Sequence, residues 1–228
     1  MKKIIVFAGL FLQTLTSCGV DNLGEKGEKK PFIAQNSTPK ADFSQLEEGD
    51  LIFQVSLSEQ SKAIQAATKS RYSHVGILYK QDEGKVWQVL EAVSTVRLTP
   101  IDEFIKNGEN QHFVVKRLKQ SRLYLGETNL RNMHKIGKSF LGKPYDLQFL
   151  WGDDKMYCSE LVWKIYQRGQ ASGLEIGKLQ PLKNFNLDDP AVQAKLGERY
   201  GVKIPYNEPM ISPGDMFNSD LLITILEK

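Results

Sequence analysis

Apolar and polar positions begin to alternate in an organised way near Phe43. The turn signal Gly49-Asp50 leads into "LIFQV", an apolar run short enough to predict a strand through Val55. Ser58 is placed to cap a helix through "EQSKAIQAAT", where Ala63, Ile64, Ala66 and Ala67 share one face. "HVGILY" and "KVWQVLEA" are rich in β-formers and flank the turn "QDEG", which predicts an antiparallel hairpin. "TVRLTPI" reads as a further strand ended by Pro100, "IDEFIKNG" as a short helix closed by Gly108, and "HFVVKRL" as another strand. The period then lengthens. Residues 126–141 are helical in pattern and stop at "GKPYD", where Gly142 and Pro144 break the helix.

A second helix is expected over Ser159–Gly169, with Leu161, Val162, Ile165 and Tyr166 inward. Residues 174–210 are rich in Pro and Asn and read as irregular. "SPGD" then leads into "LLITILEK", a closing strand. Several antiparallel strands with segregated helices make the fold class α+β.

The N-terminal pattern has a different meaning. Lys2 and Lys3 precede an apolar run from Ile4 to Leu12, too short to span a membrane, and "QTLTSC" follows. This is the order of an export signal, and Leu15-Thr16-Ser17-Cys18 resembles a bacterial lipobox, which makes Cys18 the expected lipidation site; an ordinary signal peptide with an incidental cysteine is the other reading. Residues 1–18 are thus expected to be the signal peptide and 19–41, rich in Gly, Lys, Glu, Ser and Pro, a tether. The folded domain is expected over 42–228, with membrane attachment through the N-terminal lipid.

Composition adds limits. The 228 residues suit one domain, and 41% hydrophobic content allows an ordinary core. A net charge of +3, with no basic stripe interleaved with aromatics, does not point to nucleic acid. The histidines at 74, 112 and 134 are scattered and no Cys/His cluster has metal-ligand spacing, so no metal site is expected.

The chemistry rests on the second of the two cysteines. With Cys18 lipidated, Cys158 in "MYCSELVW" has no disulfide partner. At a helix start, free N–H groups and the helix dipole favour a thiolate, so Cys158 is a candidate nucleophile; a small buried packing residue is the other reading. A nucleophilic thiol needs a base. His74 opens an apolar strand after "KSRYS", His112 also opens a strand, and His134 lies beside Lys135 on what reads as a solvated helix face. Glu91 alternates in phase with Trp87 and Val89, so it is either a buried carboxylate that orients the base or an edge residue reaching solvent. Tyr72, Tyr145 and Tyr157 are candidates to offer a hydroxyl to substrate, with core packing as the alternative for each.

"GDLIF", "SHVGILY", "LEAV", "GKPYD", "YCSELVW" and "SPGD" occur in the order seen in circularly permuted papain-like enzymes. Over about Phe43 to Leu226 the chain resembles the YaeF/YiiX branch of the NlpC-type superfamily, relatives of the lecithin retinol acyltransferase group. The resemblance implies a permuted papain-like fold with Cys158 as nucleophile, His74 as base and Glu91 as the polar third residue. It implies amide or ester chemistry through a thioester, on a peptide, a peptidoglycan stem or an acyl lipid, with no metal or organic cofactor. Cleavage of a peptide or peptidoglycan amide at the cell envelope is the leading expectation. A lipid-directed thiol hydrolase or acyltransferase and a non-catalytic envelope binding module are the alternatives. Residues 174–210 exceed a minimal member and are expected to form a lid or pocket wall.

Overall fold

Strand β1 (Leu51–Ser56) carries an unbroken buried run, Leu51 to Val55, because it lies mid-sheet with both faces covered. The computed structural model describes residues 42–81 and 86–228; the signal, Cys18, the tether and most of the "QDEG" turn lie outside the described residues. The remaining elements are α1 (Ser61–Thr68), β2 (His74–Gln81), β3 (Val86–Ala92), β4 (Val96–Pro100), α2 (Ile101–Lys106), β5 (Gly108–Leu118), α3 (Ser121–Tyr124), α4 (Glu127–Phe140), α5 (Cys158–Gly169), β6 (Gln180–Pro181), α6 (Pro190–Tyr200), β7 (Pro209–Met210), α7 (Pro213–Phe217) and β8 (Leu222–Glu227).

Six strands form an antiparallel sheet in the order β4-β3-β2-β1-β5-β8. The hairpin of β2 and β3 pairs Ile77 with Leu90 and Tyr79 with Gln88. Period-two alternation then divides the side chains between two cores. Leu51, Phe53, Val75 and Ile77 face the larger core, shared with α4 and α5. Ile52, Leu78, Val89 and Val115 face a smaller one closed by Phe104 of α2. This is an α+β fold with an antiparallel sheet packed against helices, as the resemblance implied.

Helix α5 is the central pillar. Leu161, Val162 and Ile165 are wholly buried, and each such side chain stabilises the fold by about 1.5–3 kcal/mol relative to exposure. Burial extends all round the helix, taking in Glu160 and Lys164, whose charges meet at 2.7 Å. The amphipathic pattern named only the inward stripe, because the polar flank is covered by the loop carrying Gly152 and Asp153, to which Lys164 also donates.

Four local expectations change. Ser58 is not the cap of α1; that helix starts at Ser61 with Gln60 at the N-cap position. Gly108 does not end α2 in the left-handed region but begins β5, and a Cβ there would lie 2.4 Å from Gln54 Oε1. A side chain there would have to displace the end of the Gln54 side chain. "SPGD" is the start of α7: Ser212 caps it, its hydroxyl accepting from Asp215 N at 3.0 Å, before β8 begins. Residues 174–210 contain α6, started by Pro190 after the Asp189 cap and packed on α1. Its short apolar face, with Val192 and Leu196 buried, escaped a reading guided by the surrounding prolines and asparagines.

Candidate functional site

Cys158 is the first residue of α5, preceded by Tyr157 in extended conformation at the N-cap. The third helical residue, Glu160, reaches back to accept from Tyr157 N at 3.4 Å and also from Gly152 N at 3.3 Å. These bonds fix the turn that delivers the thiol to the helix start, where the peptide dipoles favour negative charge. Cys158 is a free thiol and buried.

His74 is delivered by a second set of contacts. Ser73 N donates to Gln54 O, the Ser73 and Ser61 hydroxyls lie 2.7 Å apart, and His74 pairs with Gln54 across β1 and β2. The imidazole stacks on Phe104 and its Nε2 lies 2.6 Å from Glu91 Oε2. The other carboxylate oxygen accepts from Thr99 Oγ1 at 2.6 Å, with Arg97 Nε at 3.8 Å. With Nε2 engaged by Glu91, Nδ1 is the nitrogen left to meet the Cys158 thiol.

The electrostatics follow from this enclosure. Burial opposes charge on His74, but hydrogen bonding to Cys158, then to Glu91, and the charges of both outweigh it and raise its pKa to about 10. Burial would likewise raise Glu91, yet the His74 bond and charge, the Thr99 hydroxyl and Arg97 hold its carboxyl below the usual range. The imidazolium–carboxylate pair is the favoured state.

Gly76 lets the pair form. Glu91 lies opposite Gly76 when the hairpin register is extended, and His74 is two residues away on the same face. A Cβ on Gly76 would lie 2.3 Å from Val89 Cγ1 and 3.5 Å from Glu91 Cβ. Its absence opens the diagonal that the imidazole crosses. Thr99 joins because it faces Val89 while Arg97 faces Glu91 on β4. Neither residue was singled out from the sequence, although the alternation of "TVRLTPI" against "VWQVLEA" carried the signal for Thr99.

The tyrosines separate. Tyr145 is bridged to Met156, two residues before the thiol, and burial, with a smaller contribution from the nearby Cys158, raises the phenol far above its usual value. Its hydroxyl accepts from Gln60 Nε2 at 3.0 Å. Tyr157 is buried beside Phe149, with its hydroxyl accepting from Ile211 N at 3.3 Å. Tyr72 packs instead among Phe53, Phe217 and His112. His112 stacks on Tyr72 and faces Glu227 at 3.8 Å, and His134 faces Glu48 at 3.2 Å against the Tyr79 ring. Of the three histidines, His74 is the one brought to Cys158.

A pocket opens onto Cys158. Ala63, Ile64 and Ala67 of α1 form one wall, Val192 and Leu196 of α6 another, with Leu182, Phe185 and Met210 completing an apolar lining. Residues 174–210, read from the sequence as irregular and expected to form a lid or pocket wall, thus supply part of the walls beside the thiol. At the rim, Arg199 Nη2 donates to Gln60 Oε1 at 2.7 Å.

Comparison with known proteins follows the same outline. Residues 45–226 match the family model described as permuted papain-like amidase enzyme, YaeF/YiiX, C92 family. The chain is 45% identical over 180 residues to an uncharacterized protein, YiiX, of Escherichia coli (strain K12), covering 79% of this chain and 86% of that protein. Among solved structures it is similar to yiiX from Escherichia coli O157:H7, described as a metalloprotein, with 45% identity and a TM-score of 0.74 over 81% of this chain and 98% of that one.

Proposed function

The chain belongs to the permuted papain-like amidase family, and from that premise we propose that it hydrolyses an amide whose acyl part is a long apolar chain, through a thioester on Cys158. The observation that carries this reading is the lining of the pocket beside the thiol: aliphatic and aromatic side chains of α1, α6 and the segment between them. An apolar groove built from residues 174–210 is what a lipid-like acyl group needs; a cell-wall peptide needs polar anchors along its length.

The mechanism uses the groups already in contact. The Cys158 thiolate attacks the amide carbonyl carbon, and the carbonyl π electrons move to oxygen. The backbone N–H of Cys158 at the start of α5 faces that oxyanion, with Tyr145 a second donor because its oxygen accepts from Gln60 and its own proton remains free. Collapse breaks the C–N bond, and His74 Nδ1–H gives its proton to the departing amine. Water then attacks the thioester and returns a proton to His74; the thiolate leaves and the carboxylic acid is released. Glu91 keeps the imidazole oriented and stabilises its cationic form throughout, as its bond to Nε2 requires.

The relative from the O157:H7 strain carries the description metalloprotein. Among the described residues of this chain, no three His, Cys, Asp or Glu side chains come together in a group that could hold an ion. The N-terminal pattern supports export and lipid anchoring at Cys18, and such an anchor would hold the enzyme at a bacterial envelope membrane where acylated substrates partition. Mass spectrometry of the mature N-terminus should find acyl chains on Cys18; an unmodified Cys18 would remove the anchor from the account.

Turnover of N-acyl amides of increasing chain length tests the substrate reading. Each added methylene that enters the pocket is worth up to about 0.8 kcal/mol, so kcat/KM should rise by about 100-fold or more from acetyl to dodecanoyl. Equal rates for both acyl lengths, or cleavage of unacylated peptidoglycan stems alone, would replace the lipid reading with the peptide one.

A further inference from the structure

One charged group beside the pocket is not neutralised. Arg199 projects from α6 between the apolar pocket and an outer cleft bounded by Ser58, Glu59, Leu147 and Gln148, and it lines both, as do Gln60 and Lys195. Its guanidinium lies over the Phe149 ring at 4.5 Å and gives one hydrogen bond to the neutral Gln60 side chain. Among the described residues no carboxylate pairs with it. Of the nearby acids, Glu198 holds Lys195 at 2.6 Å and Asp146 accepts from the backbone N–H groups of Gln148 and Leu150 at 2.9 and 2.6 Å, while Glu59 lines the outer cleft. Burial lowers the Arg199 pKa, and Tyr145, Tyr200, Glu198 and Asp146 only partly offset that effect.

A half-buried cation with five donors, one of them used within the protein, carries a desolvation cost that an internal partner does not offset. Lys195 at the same rim is paired with Glu198, whereas Arg199 has no carboxylate partner among the described residues. Gln60 fixes its direction: the guanidinium only donates, so the Gln60 carbonyl faces Arg199 and its amide faces Tyr145. The anchor is thereby linked through two hydrogen bonds to the tyrosine beside the thiol.

We propose that Arg199, held by Gln60, is the subsite for an anionic group on the amine side of the substrate. The substrate class is then an N-acyl amine with its hydrocarbon chain in the pocket and a carboxylate or phosphate close to the scissile amide. A planar guanidinium takes either oxyanion through paired N–H donors. An amino-acid or peptide carboxylate and the phosphate of an N-acylated phospholipid headgroup share this chemistry. The proposal rests on the amide reading above for the orientation of the substrate, but the anion subsite itself is measurable without turnover.

The test uses the full chain carrying Cys158→Ala, so that ligands bind without being consumed. Binding of N-dodecanoylglycine is compared with that of the neutral N-dodecanoylglycinamide, and N-dodecanoylphosphoethanolamine with N-dodecanoylethanolamine, by isothermal titration calorimetry. Each anionic ligand that the subsite accepts should bind about tenfold or more tighter than its neutral counterpart, the range of a charged hydrogen bond. Adding Arg199→Met should reduce that ratio to about one, and Arg199→Lys should restore part of it. A preference confined to the glycine pair identifies a carboxylate, and one confined to the phosphoethanolamine pair a phosphate. Equal binding of charged and neutral ligands, or a preference that survives Arg199→Met, overturns the proposal. Near-UV circular dichroism of each variant establishes that a lost preference is not a lost fold. Should the wild-type chain turn over none of these amides while the charge preference in binding stands, the amide reading fails and the anion subsite remains.

Discussion

The two sides of the Cys158 thiol are built on opposite principles. On the sheet side, every polar atom of the pair is matched: His74 lies between Cys158 and Glu91, and both Glu91 oxygens have partners. On the α6 side the walls are apolar, and the rim cation Arg199 has no carboxylate partner among the described residues and a hydrogen bond to the neutral Gln60. A satisfied network holds a fixed geometry, as a proton-transfer pair must. An unsatisfied wall is complementary to something outside the chain. In the function proposed above, the hairpin carries the chemistry and α6 the selectivity.

Disabling the sheet side should have the largest effects. Cys158→Ala should remove amide turnover entirely within detection, and His74→Ala should cost about 10³-fold or more in kcat, because the thiol loses both its base and the acid for the leaving amine. Comparable turnover in either variant, measured with an N-dodecanoyl amide, would separate these residues from the reaction. Glu91→Gln comes next. It retains the shape but not the charge, and kcat should fall by about 10²-fold or more with little change in KM.

That substitution also has a pH signature. The folded-state pKa of His74 is raised from 6.5 to about 10, so the stability it contributes is fully present below pH 6.5 and is lost as pH rises toward 10. Glu91 is shifted down, so its contribution is present above its unfolded value of about 4.5 and is lost as pH falls below it. The gap in thermal midpoint between wild type and Glu91→Gln should therefore be widest between about pH 5 and 7 and narrow toward pH 10. A gap that widens with alkalinity would contradict the imidazolium–carboxylate pair.

The pocket side should respond more gently and selectively. Ala67→Phe fills the wall contributed by α1 and should lower kcat/KM for dodecanoyl substrates by about tenfold, with a smaller loss for acetyl substrates. A uniform loss across chain lengths would move the acyl group out of this pocket. Gly76→Ala tests the boundary between the regions. Its Cβ would overlap Val89, destabilising the fold by about 1–3 kcal/mol and displacing the diagonal from His74 to Glu91, so turnover should fall further than the loss of folded protein explains.

Legibility in the sequence divides along the same line. The hairpin, the β-strand phase of Glu91 and the thiol at a helix start all follow from local periodicity, and the structure places His74 and Glu91 in contact as the antiparallel pairing allowed. Which of His74 and His112 met the thiol depended on tertiary placement, and only the family resemblance separated them beforehand. Gly76 was hidden because a glycine needed for close approach looks the same in sequence as one tolerated in a strand. Residues 174–210 were expected to form a lid or pocket wall, but Arg199 and the particular residues that line the pocket were out of reach for another reason. They depend on α6 packing against α1, more than a hundred residues earlier, and no periodicity reports where a helix docks. Cap assignments failed at Ser58 for a smaller reason: a serine before a helical run can equally sit in the turn that precedes it, and Ser58 O accepts from Ser61 N there.

The most direct test of the central claim is the covalent intermediate. Acid quenching during turnover of an N-dodecanoyl amide, followed by peptide mass spectrometry, should find one dodecanoyl group on the peptide containing Cys158 and none on the Cys158→Ala protein. A wild-type enzyme that turns the amide over with no acyl group on Cys158, or an adduct that Cys158→Ala also carries, would contradict the thioester mechanism.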